Sequence, residues 1–359
     1  MKKTLYLHIG ADKTGSSAVQ TFLYKNAQVL LGSGIHVVHT GLSLGEGHPG
    51  LFLRFDEQEW GQVHREIHGD ERSHVFVLTW EGIHSFEGEK LAHLKRILSP
   101  YDCRIVYVMR EQADLIGSAA LQRLRADQLD WDIRDDQMHF HWLAQADRDY
   151  YRTLGKFSSM FGRDAIVPVL YEPGNMVFKF LGLLGVASNG AAFDFEGFDN
   201  PSLTLEGAIA AQMLDKILQS QEERLALRAF LLTSGVQRQG SKNILSREIV
   251  ERIRSKFART NQLVAKEWLG KETLFELREC ANTTGYDREL VKRITIDVLE
   301  NMPLQPGLVP ARTFDAMQRY TPEMAALQEQ LTNVMNSWSW KITSPLRLMR
   351  RWLRRHGSP

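Results

Sequence analysis

The residues from His8 to Ser17 read HIGADKTGSS, with one lysine, two glycines and three hydroxyl side chains in ten positions. A plain turn needs only one of these features. Together they match an anion: Gly10 lets the chain turn sharply, Gly15 lets backbone approach a ligand, Lys13 brings a point charge, and Thr14, Ser16 and Ser17 bring hydroxyl donors. A phosphate or sulfate group suits that inventory. A serine-rich helix cap would explain the hydroxyls but leave Gly10 and Lys13 unexplained.

Such a loop works only where a fold presents it, at the carboxyl end of a parallel strand where a crossover helix begins. The sequence supplies the elements. TLYLHI (4–9), IHVV (35–38), HVFVLTW (74–80), RIVYVM (104–109) and AIVPVL (165–170) read as strands. Helical patterns lie between or after them at about 16–30, in EKLAHLKRIL, at about 113–124 and in MVFKFLGLLG. Continuous Val, Ile and Leu runs imply strands buried on both faces, so the expected fold is α/β, a three-layer α/β/α sandwich around a parallel sheet. After Asn200 the strand signal stops, and helical patterns fill 203–218, 222–232 and 246–269. MPLQPGLVPA (302–311) reads as a linker, ahead of a helix at about 313–336 and a basic tail. The expected division is a domain over 1–270, a connector over 271–311 and a helical extension over 312–359.

Bulk properties narrow the function. A net charge of +1 gives no global signal for nucleic acid. Two cysteines, Cys103 and Cys280, cannot form a disulfide framework, and reduced thiols point to the cytoplasm. The start MKKTLYLHIGA has its apolar run cut by His8, Asp12 and Lys13 too early for a signal peptide. No window reaches the ~20 apolar residues of a membrane span.

The order of residues in the loop separates anion loops from one another. A Walker A loop places lysine directly after its second glycine, whereas Lys13 precedes Gly15 by two positions, which disfavours a nucleotide-dependent kinase. HIGADKTGSSAVQ instead resembles the phosphosulfate-binding loop of sulfotransferases that use 3'-phosphoadenosine 5'-phosphosulfate (PAPS), in the bacterial carbohydrate-type form H-x-G-x-x-K-T-G-[ST]-[ST]. VYVMREQADLIGSAALQ resembles the same family's second motif: Arg110 directly follows a strand and Ser118 lies eight residues on. The resemblance implies that both hold the cofactor's 3'-phosphate, for which the planar guanidinium fork is well suited. A strand-end cap is the plainer reading of Arg110 alone. Diffuse likeness continues through NPSLTLEG and FARTNQLVAKEWLG, so it covers roughly residues 3–270.

In that family a Ser-Ser-Glu pattern follows the third strand; here the stretch is LTWEG, with Thr79 and Trp80 in place of the two small residues. The resemblance makes Glu81 the candidate general base and Lys13 the group that neutralises the leaving bridge oxygen, with Gly10, Lys13, Thr14, Gly15, Ser16 and Ser17 around the 5'-phosphosulfate. A salt bridge from Glu81 to Lys13 or Arg110 is the alternative. Trp80, His48 and His84 are candidates for the acceptor site. A sulfotransferase-like assembly protein without catalysis is a further alternative, against which Lys13, Glu81, Arg110 and Ser118 argue.

Other patterns carry less. Seven histidines crowd the stretch from His36 to His84, and His64 and His68 can share a helical face, yet no H-E-x-x-H or Cys-His set accompanies them and no metal is expected. DWD (130–132) resembles a glycosyltransferase metal motif, but it follows no strand and reads as a solvated or acceptor-facing loop. From Trp338 onward the chain carries six basic residues and no acidic one. That tail reads either as an interfacial helix, placing the protein peripherally at the inner membrane face, or as a helix docked on the protein's own body. SWSWKITSPLR resembles a short element of glycosyltransferases from bacterial surface-polysaccharide clusters, which points to a carbohydrate or glycolipid acceptor.

Overall fold

The computed structural model describes residues 2–143, 148–186, 193–196, 202–218, 220–277 and 285–302. The helix expected at 313–336 and the basic tail lie outside the described residues, as does Cys280. In chain order the elements are β1 (Thr4–His8), α1 (Ser16–Lys25), α2 (Ala27–Gly32), β2 (Ile35–Val37), α3 (Pro49–Arg54), α4 (Glu57–Gly69), β3 (Val75–Thr79), α5 (Gly88–Leu98), β4 (Asp102–Met109), α6 (Gln112–Arg125), α7 (Asp136–Leu143), α8 (Tyr150–Phe161), β5 (Ile166–Leu170) and α9 (Met176–Leu183). They are followed by α10 (Leu205–Asp215), α11 (Gln221–Thr233), α12 (Arg247–Leu269) and α13 (Arg288–Asn301).

The five strands form one sheet in the order β2-β3-β1-β4-β5, parallel at every pairing. Each strand alternates its side chains between two apolar layers. Leu5, Leu7, Phe76, Leu78, Ile105 and Tyr107 pack with residues of α3, α4, α5, α8 and α12 on one face. Val75, Val77, Val106, Val108 and Val169 pack with α1, α2 and α9 on the other. The expected α/β/α sandwich is therefore the observed one. The helix expected over 16–30 is broken at Asn26, whose amide nitrogen donates to the Phe22 and Asp194 carbonyls and separates α1 from α2.

The chain divides into two compact units that interleave along the sequence: residues 1–202 with 242–285, and residues 203–241 with 286–359. The first unit holds the sheet. In the second, α10 packs on α13, and Gly207, Ala208, Ala210 and Ala211 are among its buried residues. The Thr204 hydroxyl caps α10, and the Arg228 guanidinium pairs with both Asp215 oxygens at 2.8 and 2.6 Å.

Candidate functional site

β1 lies between β3 and β4, so the loop leaving it is flanked by the exits of both. The chain after β1 runs toward the β2 edge and the chain after β4 toward the β5 edge. That reversal opens a crevice at the carboxyl ends of β1 and β4, the place where sheets of this class bind ligands.

Gly10 is compulsory on two counts. Its φ is +108°, and a Cβ there would lie 2.7 Å from the Glu81 carbonyl oxygen. The same proximity brings the β1 loop against the residue that follows β3 and Trp80. Lys13 and Gly15 also take left-handed backbone, with φ of 59° and 81°. Through this turn the amides of residues 12–17 donate no hydrogen bond among the described residues; the first that does is Ala18, to the Gly15 carbonyl at 3.1 Å. A helix start with that many unclaimed N–H groups and its dipole behind them is an anion site in form.

The hydroxyls are arranged differently from the sequence expectation. Thr14 Oγ1 donates to the Ala11 carbonyl at 2.5 Å and Ser16 Oγ to the same oxygen at 3.2 Å, both buried. They brace the turn from within, and Ser17 is the exposed member of the three. The Lys13 ammonium makes no hydrogen bond or ion pair among the described residues. Burial pushes its pKa down, the charges of Arg125 and Arg110 add to that, and Asp12 and Glu81 oppose it. Asp12 is held by both nitrogens of the buried Arg148. Burial alone would raise the Asp12 carboxyl, but the adjacent guanidinium leaves it below its ordinary value.

Across the crevice, Arg110 follows β4. Its Nη1 donates to the Lys13 carbonyl at 2.9 Å, and its guanidinium lies 4.9 Å from the centre of the Tyr171 ring. Its Nε is buried with no partner among the described residues, an orphaned donor in the crevice wall. Ser118 is half-buried two turns into α6, so both members of the second motif are on the elements expected. Behind them, Gln112 exchanges two hydrogen bonds with Asn261 of α12, at 2.8 and 2.9 Å. A cavity of about 820 Å³ opens beside Arg110, with Tyr171, Lys179, Arg254, Lys271 and Phe275 in its wall.

On the β3 side, Glu81 begins a 3₁₀ turn and its Oε2 accepts from Gln20 Nε2 at 2.7 Å. Gln20 is fully buried, and its Nε2 also lies 3.5 Å from the Thr79 hydroxyl, which in turn meets His8 Nδ1 at 2.8 Å. Burial drives the His8 pKa down to about 4, so the ring is neutral. Sequence reasoning left Gln20 and His8 without a role, although Gln20 stands one helical turn after Ser16 and so on the same side of α1. Nothing in the sequence links Arg148 to Asp12 across 136 positions.

The three acceptor candidates divide. Trp80 is half-buried, stacked on Phe52 with ring centres 6.1 Å apart and edge-on to Phe86. His84 is buried, with Nδ1 2.5 Å from the Glu81 carbonyl. His48 is fully buried and committed to the backbone: Nε2 donates to the Val38 carbonyl at 2.7 Å and Nδ1 accepts the Thr79 amide at 3.2 Å. With its pKa lowered by burial, His48 is a neutral tie between the end of β2 and β3, which removes it from the acceptor candidates. His64 and His68 do share a face, where both rings pack on Tyr101. In DWD, Trp131 is buried against His139 while Asp132 is exposed and paired with Arg134.

No protein-family model and no curated protein matches this sequence. Among solved structures, the chain is similar to a sulfotransferase from Alicyclobacillus acidocaldarius, at 14% identity and a TM-score of 0.37, over 65% of this chain and 96% of that one. It is also similar to a mouse sulfotransferase complexed with PAP, at 12% identity and a TM-score of 0.29, over 99% of this chain and 89% of that one. Likeness at this level carries no argument about chemistry.

Proposed function

We propose that this chain is a sulfotransferase that moves a sulfuryl group from PAPS to a hydroxyl of a carbohydrate acceptor. The observation that carries the reading is the run of unclaimed amides at residues 12–17 around the unpartnered Lys13 ammonium, facing an Arg110 whose buried Nε is also unpartnered. Two anion sites at one crevice suit a cofactor with anionic groups at separate ends, and the position of Lys13 before Gly15 separates the loop from the ATP type. PAPS fits the donors present and, when bound, supplies an activated sulfur–oxygen bond.

The chain's own residues then do the following. The loop amides and the exposed Ser17 hydroxyl hold the 5'-phosphosulfate. Lys13 neutralises charge on the bridge oxygen as the bond from that oxygen to sulfur breaks, and its lowered pKa fits a desolvated cation aimed at an anion. Arg110 and Ser118 hold the 3'-phosphate. Glu81 takes the proton from the acceptor hydroxyl as its oxygen bonds to sulfur, an effect typically worth about 10²–10⁴ in rate. Gln20 keeps the Glu81 carboxylate on the crevice side of β3. Trp80, half-exposed and next to Glu81, offers an aromatic face to a sugar ring.

Thermal stability with 3'-phosphoadenosine 5'-phosphate (PAP) against ATP with Mg²⁺ tests the reading. At a hundred times Kd, PAP is expected to add about 2.7 kcal/mol. No shift with PAP, or an equal shift with ATP, overturns the proposal. Given binding, Glu81→Gln is expected to abolish PAP release from PAPS with an oligosaccharide panel while keeping the PAP shift.

A further inference from the structure

We propose that the exit of β2 and the end of α4 build a site for one divalent transition-metal ion of the zinc type, held by His36, His39 and Glu66. One ligand atom from each of the three lies within 4.8 Å of the others. His36 Nδ1 stands 2.6 Å from Asp70 Oδ2, and its Nε2 stands 2.8 Å from Glu66 Oε1. Once the Nδ1–H is given to Asp70, the Nε2 lone pair faces a carboxylate oxygen. Two acceptors that close need a cation between them, either a proton or a metal ion. A carboxylate on the far nitrogen is also the arrangement that orients metal-bound imidazole and raises its basicity.

The remaining contacts prepare the other ligands. Glu66 Oε2 is fixed by the Thr40 amide at 3.0 Å and the Thr40 hydroxyl at 2.7 Å, and the His39 amide donates to Oε1 at 2.6 Å. The carboxylate is thus held with Oε1 toward the His36 ring. The His39 ring lies 5.5 Å from that of His36, is exposed, and makes no hydrogen bond among the described residues. It can swing onto an ion and leaves an entry path. Two imidazoles and one carboxylate form a common zinc donor set, completed by water; bond lengths of about 2.0–2.2 Å at a tetrahedral ion require Glu66 Oε1 to swing off the His36 Nε2 lone-pair axis and the two atoms to part to about 3.4 Å. The ion would clamp the edge strand to the end of α4.

The test uses untagged full-length protein stripped with a chelator, then titrated with Zn²⁺ against a chromophoric competitor and with Co²⁺ to read its d–d absorption. One equivalent is expected, indifferent to excess Mg²⁺, with affinity weakened at least about tenfold by His39→Ala and by Glu66→Gln. His39→Ala is the decisive variant, because the ring carries no hydrogen bond whose loss would unfold the site. Its metal-free melting temperature should equal that of the parent. Failure to bind an equivalent, or binding unchanged in His39→Ala, overturns the proposal and leaves Glu66, His36 and Asp70 as an imidazolium held between two carboxylates.

Discussion

At Gly10 a single hydrogen decides whether the β1 loop can lie against the chain after β3. Gly10→Ala would impose a strained φ and press a methyl group on the Glu81 carbonyl, 2.7 Å away, where no flexible atom can yield. A loss of about 2–3 kcal/mol in urea unfolding is expected, with weakened PAP binding, since the loop must retreat from Glu81. Unchanged stability would mean that the turn has room the structure does not show. His8, two residues earlier, gives a pH signature. Its folded pKa of about 4 lies below the unfolded value near 6.5, so between these limits the unfolded chain binds a proton that the folded chain refuses. Stability therefore falls as pH drops through that window, by roughly 3 kcal/mol when pH 4 is reached. His8→Gln, which can still meet the Thr79 hydroxyl but cannot titrate, is expected to flatten that part of the profile. Parallel profiles for the two proteins would remove His8 as the cause.

The seam between α6 and α12 holds the Arg110 turn from behind. Gln112 is buried two residues after Arg110, and its paired hydrogen bonds to Asn261 fix the first turn of α6. Asn261→Ala leaves a buried amide unsatisfied, a loss of about 1–3 kcal/mol, and lets the Arg110 turn loosen. PAP affinity should fall with it, whereas Asn261→Asp, which keeps one acceptor for Gln112, should retain more of both. Equal PAP affinity in all three proteins would show that the seam is structural only. Strands buried on both faces announce themselves as apolar runs, and their order along the chain implied the crossovers that set Lys13 opposite Arg110. The helix α4 shows in the sequence only as the spacing of His64 and His68, because it buries only Trp60, Val63 and Ile67 on a narrow stripe and is otherwise polar. The hydroxyls of Thr14 and Ser16 have the types of ligand donors, and only the folded loop shows them spent on the Ala11 carbonyl. Pairs such as Asp12 with Arg148, or Glu66 with His36, depend on tertiary placement that no local spacing encodes.

For the whole molecule, the chain's interleaving governs what can be cut away. Every residue of the proposed site lies in the unit formed by 1–202 with 242–285, and a division in simple chain order cannot express that this unit is interrupted by 203–241. α10 and α11 precede the last segment of the first unit, while their packing partner α13 comes after it. Ending the chain after residue 302 keeps all three helices; ending it after residue 285 removes Leu290, Val291, Ile294 and Val298, each buried. It also removes the Asp287 amide from Glu206 Oε1. Uncovering side chains of this size costs about 1.5–3 kcal/mol apiece, more than two short helices can bear. Limited proteolysis should therefore cut the 1–285 protein within 203–241 while leaving 242–277 protected, and should leave the 1–302 protein intact in both segments. The PAP thermal shift should survive in both forms, because Lys13, Glu81, Arg110 and Ser118 share one unit. Equal protease resistance of the two truncated forms would show that α10 and α11 stand without α13, and loss of the PAP shift only in the shorter form would show that the site depends on more than the unit that carries its residues.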